Sequence, residues 1–284
     1  MSYSFTLCQR DPFRHISKNF GKLPTFPKFE INPSSVLANN WIIQEFPLST
    51  LNTGYFSNLS DQGSDINYRS IALLNDKHET VMSLTPIEAE SHLFPLENAK
   101  GTVVIAGLGL GMITHNLLKK KACKKIFVLE IEQDVIDLFP NCLSKNDREL
   151  WQSNIDSGRL KIIKHDITKP FTTDLKRMIG NRVDYLWVDT WNTIGDESAL
   201  PLTQYLQSQV NASVVDFWTF EFCIAHDLFV KKTALFKLDP ITALREWVTE
   251  SQLPLSIASM SKHKQKLFLD LAIMVLNRSI QQQK

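Results

Sequence analysis

The stretch that most limits the fold is "GTVVIAGLGLGMITHNLLKK", residues 101 to 120. Thr102 to Ala106 is a short β-branched apolar run bounded by Gly101 and Gly107, the pattern of a strand buried on both faces. Ile113, Leu117 and Leu118 then make one helical face, closed by Lys119, Lys120 and Lys121, whose cations complement a helix C-terminus. The alternation continues with "KIFVLEI" as a second strand, "EQDVIDLFPNCL" as a helix, "RLKIIKHD" as a third strand, "FTTDLKRMI" as a helix and "VDYLWVD" as a fourth strand. Strands separated by helices imply a mostly parallel sheet with helices on both faces, an α/β, Rossmann-like fold.

The flanks read differently. Residues 1 to about 68 carry turn signals such as "INPSS", "LNTG" and "DQGSD" with little helical period, which predicts extended strands and loops. "SIALLNDKHETVMSL" suits a β-hairpin around Asn75, Asp76 and Lys77. "TPIEAESHLF" places Thr85 as N-cap, Pro86 at the first helical position and Glu88 at the third, a predicted capping box. Beyond residue 198, "ALPLTQYLQSQV" predicts a helix, "SVVDFWTF" a strand, and "DPITALREWVTESQ" and "KLFLDLAIMVLNRSI" further helices. The expected organisation is a small β-rich region over 1–98 ending in a short helix, a Rossmann-like domain over 99–224 and a helical extension over 225–284.

Charge and cysteine usage exclude several function classes. Thirty-one Lys and Arg against thirty Asp and Glu leave a formal charge of +1, so no global field recruits nucleic acid or an anionic membrane. Cys8, Cys123, Cys142 and Cys223 form no CxxC pair, and the seven His show no HxxxH or HxH spacing, so no metal site is expected. The first residues lack the apolar core of a secretory signal, and no apolar run approaches the ~20 residues of a spanning helix. A cytoplasmic protein is the expectation.

Gly107, Gly109 and Gly111 sit where a backbone must turn tightly and approach a ligand. The dinucleotide fingerprint GxGxxG would need a glycine at position 112, which is Met112, so a pyrophosphate-binding NAD site is disfavoured. Glu130 follows Gly107 by 23 residues, close to the ~20-residue interval at which an acid meets ribose hydroxyls. Asp166 ends the third strand and Asp189 the fourth, which places the loop and three carboxylates on one edge of the sheet.

On these residues the chain resembles the class I S-adenosylmethionine-dependent methyltransferases. The resemblance implies that Gly107, Gly109 and Gly111 contact the amino-acid portion, that Glu130 holds the ribose, and that Asp166 with Ile167 faces the adenine. Within that superfamily the layout is most similar to the spermidine synthases, which transfer an aminopropyl group from decarboxylated S-adenosylmethionine to a diamine. "VDTWNTIGDESAL", 188 to 200, resembles their signature after strand four, and their general-base Asp is matched by Asp189. The chain departs from them at Leu110, where they carry an acid between glycines, at Asn192, where they carry a second acid, and in "TPIEAESH", which lacks their Tyr.

An amide cannot neutralise an ammonium as a carboxylate does, so methyl transfer to a small-molecule acceptor is the first expectation and aminopropyl transfer the second. A non-catalytic binding module on the same fold is the third. Asp189 is either a base, a cofactor-holding carboxylate or a loop cap; Trp191 and Asn192 either position a flat acceptor or pack. His165 is read as structural or exposed. Asp216 and Glu221 are expected at the solvent edges of a buried strand. Residues 1–68 and 225–284 are expected to shape the acceptor pocket or an oligomer interface, with a homodimer allowed for.

Overall fold

Five parallel strands form the centre of the protein: β5 (Gly101–Ala106), β6 (Cys123–Glu130), β7 (Leu160–Lys164), β8 (Tyr185–Val188) and β9 (Val215–Phe217), in the spatial order β7-β6-β5-β8-β9. Their sequences explain their places. Every residue of β8 is buried, as are the last four of β5, whereas edge strand β7 buries only Leu160 fully. The other edge, β9, is covered where Val215 N–H donates to the Pro254 carbonyl. Because the chain starts at the central strand β5 and winds outward in both directions, the sheet order reverses beside β5, and ligands bind at such a reversal.

The computed structural model describes residues 22–31, 35–47, 55, 69–231 and 239–282; "LNTG", "DQGSD" and the first 21 residues lie outside them. A second sheet, antiparallel, has the order β1 (Ser35–Ala38), β2 (Trp41–Pro47), β3 (Arg69–Leu74), β4 (Thr80–Ser83). The expected hairpin is β3–β4, and Asn75 sets its turn by accepting from the Lys77 and Glu79 amides at 3.0 and 2.9 Å. Ile43 and Leu73 of this sheet join the same apolar core as Val104, Phe127 and Leu186 of the parallel one.

The short helix expected at Pro86 is two helices, α1 (Pro86–Ser91) and α2 (Leu93–Asn98). Thr85 stands at the N-cap, but its side chain caps no N–H, so the capping box does not form. Pro95 has no N–H for the Ser91 carbonyl and its ring crowds that oxygen, which breaks the helix at His92. Edge-to-face contacts of Phe94 with Phe220 and Phe268, at 5.5 and 5.3 Å, fix α2 against the C-terminal helices.

The remaining helices are α3 (Met112–Lys119), α4 (Gln133–Cys142), α5 (Lys145–Asp156), α6 (Thr173–Ile179), α7 (Ala199–Val210), α8 (Phe220–His226), α9 (Pro240–Ser251) and α10 (Lys262–Gln282). Two of them differ from expectation. Helix α5 was absent from the sequence reading, because "KNDRELWQSNID" buries only Trp151 and Asn154 and so shows no apolar period. The strand expected through "SVVDFWTF" stops at Phe217; Thr219 takes a left-handed φ of 62° and α8 begins.

That turn also moves the two acids of this segment away from the solvent edges where they were expected. Asp216 and Glu221 are both fully buried. Asp216 accepts from Tyr185 Oη at 2.8 Å and from Ser256 N–H at 3.1 Å, and Glu221 accepts from Tyr55 Oη at 3.4 Å. Burial lifts the Asp216 carboxyl to about 6 against its hydrogen bonds, and lifts Glu221 well above the carboxylate range. In the unfolded chain both ionise at their ordinary values, so the folded state binds more protons, and their effect is a stability that falls as pH rises above about 4, through about 6 for Asp216 and further for Glu221. Glu221→Gln keeps a carbonyl acceptor for Tyr55 and removes the titration. The expected result is a urea midpoint that falls less as pH rises above about 4.5 in Glu221→Gln than in the wild type; parallel pH curves would count against it.

Candidate ligand-binding site

A cavity of about 570 Å³ opens at the C-terminal edge of the parallel sheet, between the loops that follow β5, β6, β7 and β8 and the face of the small sheet. Its size lies in the range of small-ligand sites. Gly107 and Gly109 form part of the floor, and Met82 of β4 reaches over them, with its sulfur 3.0 Å from the Leu110 amide. The hairpin therefore closes the cavity from above.

Of the three loop glycines, Gly111 does not line the cavity. It begins α3 at a φ of 65°, and a Cβ there would collide with Phe139 and Trp151, so this glycine serves helix packing. Leu110 is fully buried in the core and also faces away from the cavity. An acid there would enter an apolar core.

Glu130, 9% exposed, ends β6 and ties the loop to it. One carboxylate oxygen accepts from Leu108 N–H at 2.8 Å and the other from Glu132 N–H at 3.0 Å. A carboxylate has about four lone-pair sites, so two backbone donors leave capacity for hydroxyl donors from the cavity. Asp166 lines the cavity beyond β7 with one oxygen committed to Thr168, whose N–H and hydroxyl lie at 2.9 and 2.6 Å and hold the carboxyl below its usual range. Ile167 beside it is buried and offers an apolar wall. His165 stands edge-on to Phe171 at 5.0 Å, a packing role.

Asp189 directly follows β8, and Trp191 and Asn192 come after it on the same rim. Trp191 is 8% exposed and packs edge-on toward Phe217, while Asn192 is exposed. The cavity thus brings together Gly107, Gly109, Glu130, Asp166, Ile167, Asp189, Trp191 and Asn192.

It also contains residues that the sequence reading passed over. His92, fully buried at the α1–α2 break, places Nε2 2.9 Å from Asp189 Oδ2 and Nδ1 2.7 Å from the Glu88 carbonyl. Burial pulls its imidazole toward the neutral form, but the hydrogen bond and charge of Asp189, joined by Glu88, outweigh it and shift the group upward. Burial raises the Glu88 carboxyl to about 8, opposed by His92 and reinforced by Asp189. The Trp218 indole N–H donates to Ser91 Oγ at 2.8 Å, pinning α1 at the cavity wall. The signal for His92 stood at the end of "TPIEAESH", but its partner lies 97 residues away and no local pattern joins them.

The fold is α/β and Rossmann-like, with this cavity at the switch point of its sheet. No family model and no curated protein matches the chain. Among solved structures it is similar to the spermidine synthase of Thermotoga maritima, at 16% identity and a TM-score of 0.37, over 64% of this chain and 55% of that one. It is also similar to a proposed Zn-dependent alcohol dehydrogenase from Rhodobacter sphaeroides, at 15% identity and a TM-score of 0.29, over 66% and 70% of the two chains. Neither likeness identifies a ligand or a reaction for this protein. Among the described residues no cluster of His, Cys, Asp and Glu suits a metal ion, and no helix is long and apolar enough to cross a membrane.

Proposed function

We propose that the chain binds S-adenosylmethionine in this cavity and transfers its methyl group to a small-molecule acceptor. The observation that carries the reading is that a glycine floor and the acids Glu130, Asp166 and Asp189 face one cavity of about 570 Å³. The residues fit the ligand: Gly107 and Gly109 line the cavity, and Glu130 is braced by two amides with lone pairs to spare. In this reading Glu130 holds the ribose hydroxyls, Asp166 and Ile167 flank the adenine, and the glycine loop meets the amino-acid portion. Bound S-adenosylmethionine supplies an already activated methyl group, so the protein's share is to align the acceptor and exclude water. Asp189, Trp191 and Asn192 stand on the acceptor side.

Aminopropyl transfer to a diamine is the second reading, since it uses the same cavity with a decarboxylated cofactor. It is disfavoured because Asn192 is an amide and Asp189 is already paired with His92. Calorimetry with S-adenosylmethionine, S-adenosylhomocysteine and decarboxylated S-adenosylmethionine tests the assignment. Binding of the first two is expected. Polyamine product formed from decarboxylated cofactor and 1,4-diaminobutane would overturn it, and binding of none of the three would point to a non-catalytic module.

A further inference from the structure

We propose that His92 is a positioning residue that locks Asp189 and cancels its charge, so that the acceptor end of the cavity takes a neutral N–H or O–H acceptor and turns away an aliphatic ammonium. The choice of acceptor rests on the methyl-transfer reading; the cancellation of charge rests on geometry alone.

The geometry begins with the Glu88 carbonyl, which can only accept a hydrogen bond. His92 Nδ1 lies 2.7 Å from it and therefore carries a proton. Nε2 then faces Asp189 Oδ2 at 2.9 Å. Without a second proton on that line, two lone-pair acceptors would confront each other inside the protein. The pair holds this proton between its partners and has no net charge. His92 has nowhere to turn, because it is fully buried and its ring lies 5.3 Å from that of Trp187. The titratable groups that bear on it are Glu88 from α1 and Asp189 from the end of β8. Both ring nitrogens are occupied, so His92 does not touch an acceptor and acts through Asp189.

What remains facing the cavity is specific. Asp189 Oδ1 has no hydrogen-bond partner among the described residues, and the side chain is 21% exposed, so this oxygen is free to accept from an acceptor's N–H or O–H. The Glu88 side chain, 14% exposed, lines the same cavity with its carboxylate 3.9 Å from Nδ1. Burial favours its neutral form and raises the carboxyl to about 8, and in that form it offers an O–H donor. A neutral group that both donates and accepts is satisfied here. An ammonium would leave water for an end of the cavity where the charge of Asp189 is already met by His92.

Two measurements test this. Nitrogen-15 NMR of imidazole-labelled wild-type protein should show both His92 nitrogens protonated at pH 7, with the signature lost in Asp189→Asn; an unprotonated Nε2 at pH 7 in the wild type would overturn the proposal. Calorimetry with 1,4-diaminobutane should show binding at least about tenfold tighter in His92→Gln, which keeps a neutral donor and removes the proton-holding ring, than in the wild type. Equal affinity in the two proteins would overturn it. A purely structural role for His92 would leave the 1,4-diaminobutane affinity unchanged in His92→Gln. If His92→Gln does not fold, the wild-type NMR result decides alone. S-adenosylhomocysteine is titrated separately into the wild type, and failure to bind would overturn the methyl-transfer reading without altering the His92 result.

Discussion

Gly107→Ala is expected to destabilise the protein by more than about 3 kcal/mol, with strain from a left-handed residue and overpacking each contributing about 1–3 kcal/mol. Gly107 has a φ of 97°, and a Cβ built on it overlaps the backbone carbonyl oxygen of Asp189. Neither partner has room to yield. Gly107 N–H donates to the Leu129 carbonyl at 2.8 Å and Asp189 N–H to the Ala106 carbonyl at 2.9 Å, so the contact lies at the seam of β5, β6 and β8. Gly158→Ala is the control: its φ is 71°, but a Cβ there meets nothing within 4 Å. That variant should cost only the left-handed strain of about 1–2 kcal/mol. Urea denaturation of the two proteins separates strain from overlap, and equal losses would show that Gly107 is no tighter than an open turn.

The second large effect falls on Glu130. Glu130→Ala is expected to weaken binding of S-adenosylhomocysteine more than about 100-fold, equivalent to about 2.8 kcal/mol at 1.4 kcal/mol per decade. Two losses combine. The ribose loses its carboxylate, and the Leu108 and Glu132 amides lose their acceptor, so the loop that forms the cavity floor is no longer tied to β6. Glu130→Gln keeps one acceptor oxygen and should fall between the alanine variant and the wild type. Calorimetry of the three proteins reads the order directly. Unchanged affinity in Glu130→Ala would remove the ribose assignment.

The parts of this architecture that were legible in the sequence are those in which burial is dictated locally. "TVVIA", "KIFVLEI" and "DYLWV" are near-continuous apolar runs because their strands have a covered sheet face on both sides, and the hairpin announced itself through Asn75. Helix α5 was invisible because one tryptophan and one asparagine carry its burial. The length of β9 was overestimated because an apolar run has the same look in a buried strand and a buried helix, and only Thr219 marks the change. The carboxylates Glu130, Asp166 and Asp189 could be aligned from strand ends alone, since parallel strands bring their C-termini to one edge. His92, Glu88 and Met82 could not, because their relation to the site is created by the packing of α1 and the small sheet over the large one. Gly111 stands outside the cavity lining for a related reason. Its neighbours Phe139 and Trp151 come from α4 and α5, one of which had no sequence signature.

These failures share a physical origin. Strand-end chemistry depends on connectivity, which the order of elements reveals, whereas the acceptor side depends on tertiary contacts among segments with no common period. The identity of the cofactor is accordingly argued from β5, β6 and β7, and the character of the acceptor from α1 and β8.

The central claim is that one adenosine-bearing sulfonium cofactor occupies the cavity between the glycine loop and Glu130. A crystal structure of the protein with S-adenosylhomocysteine tests it most directly. The account predicts ribose hydroxyls within hydrogen-bond distance of the Glu130 carboxylate, adenine between Ile167 and Asp166, and the sulfur directed toward Asp189. A ligand bound elsewhere, or one whose ribose makes no contact with Glu130, would contradict it.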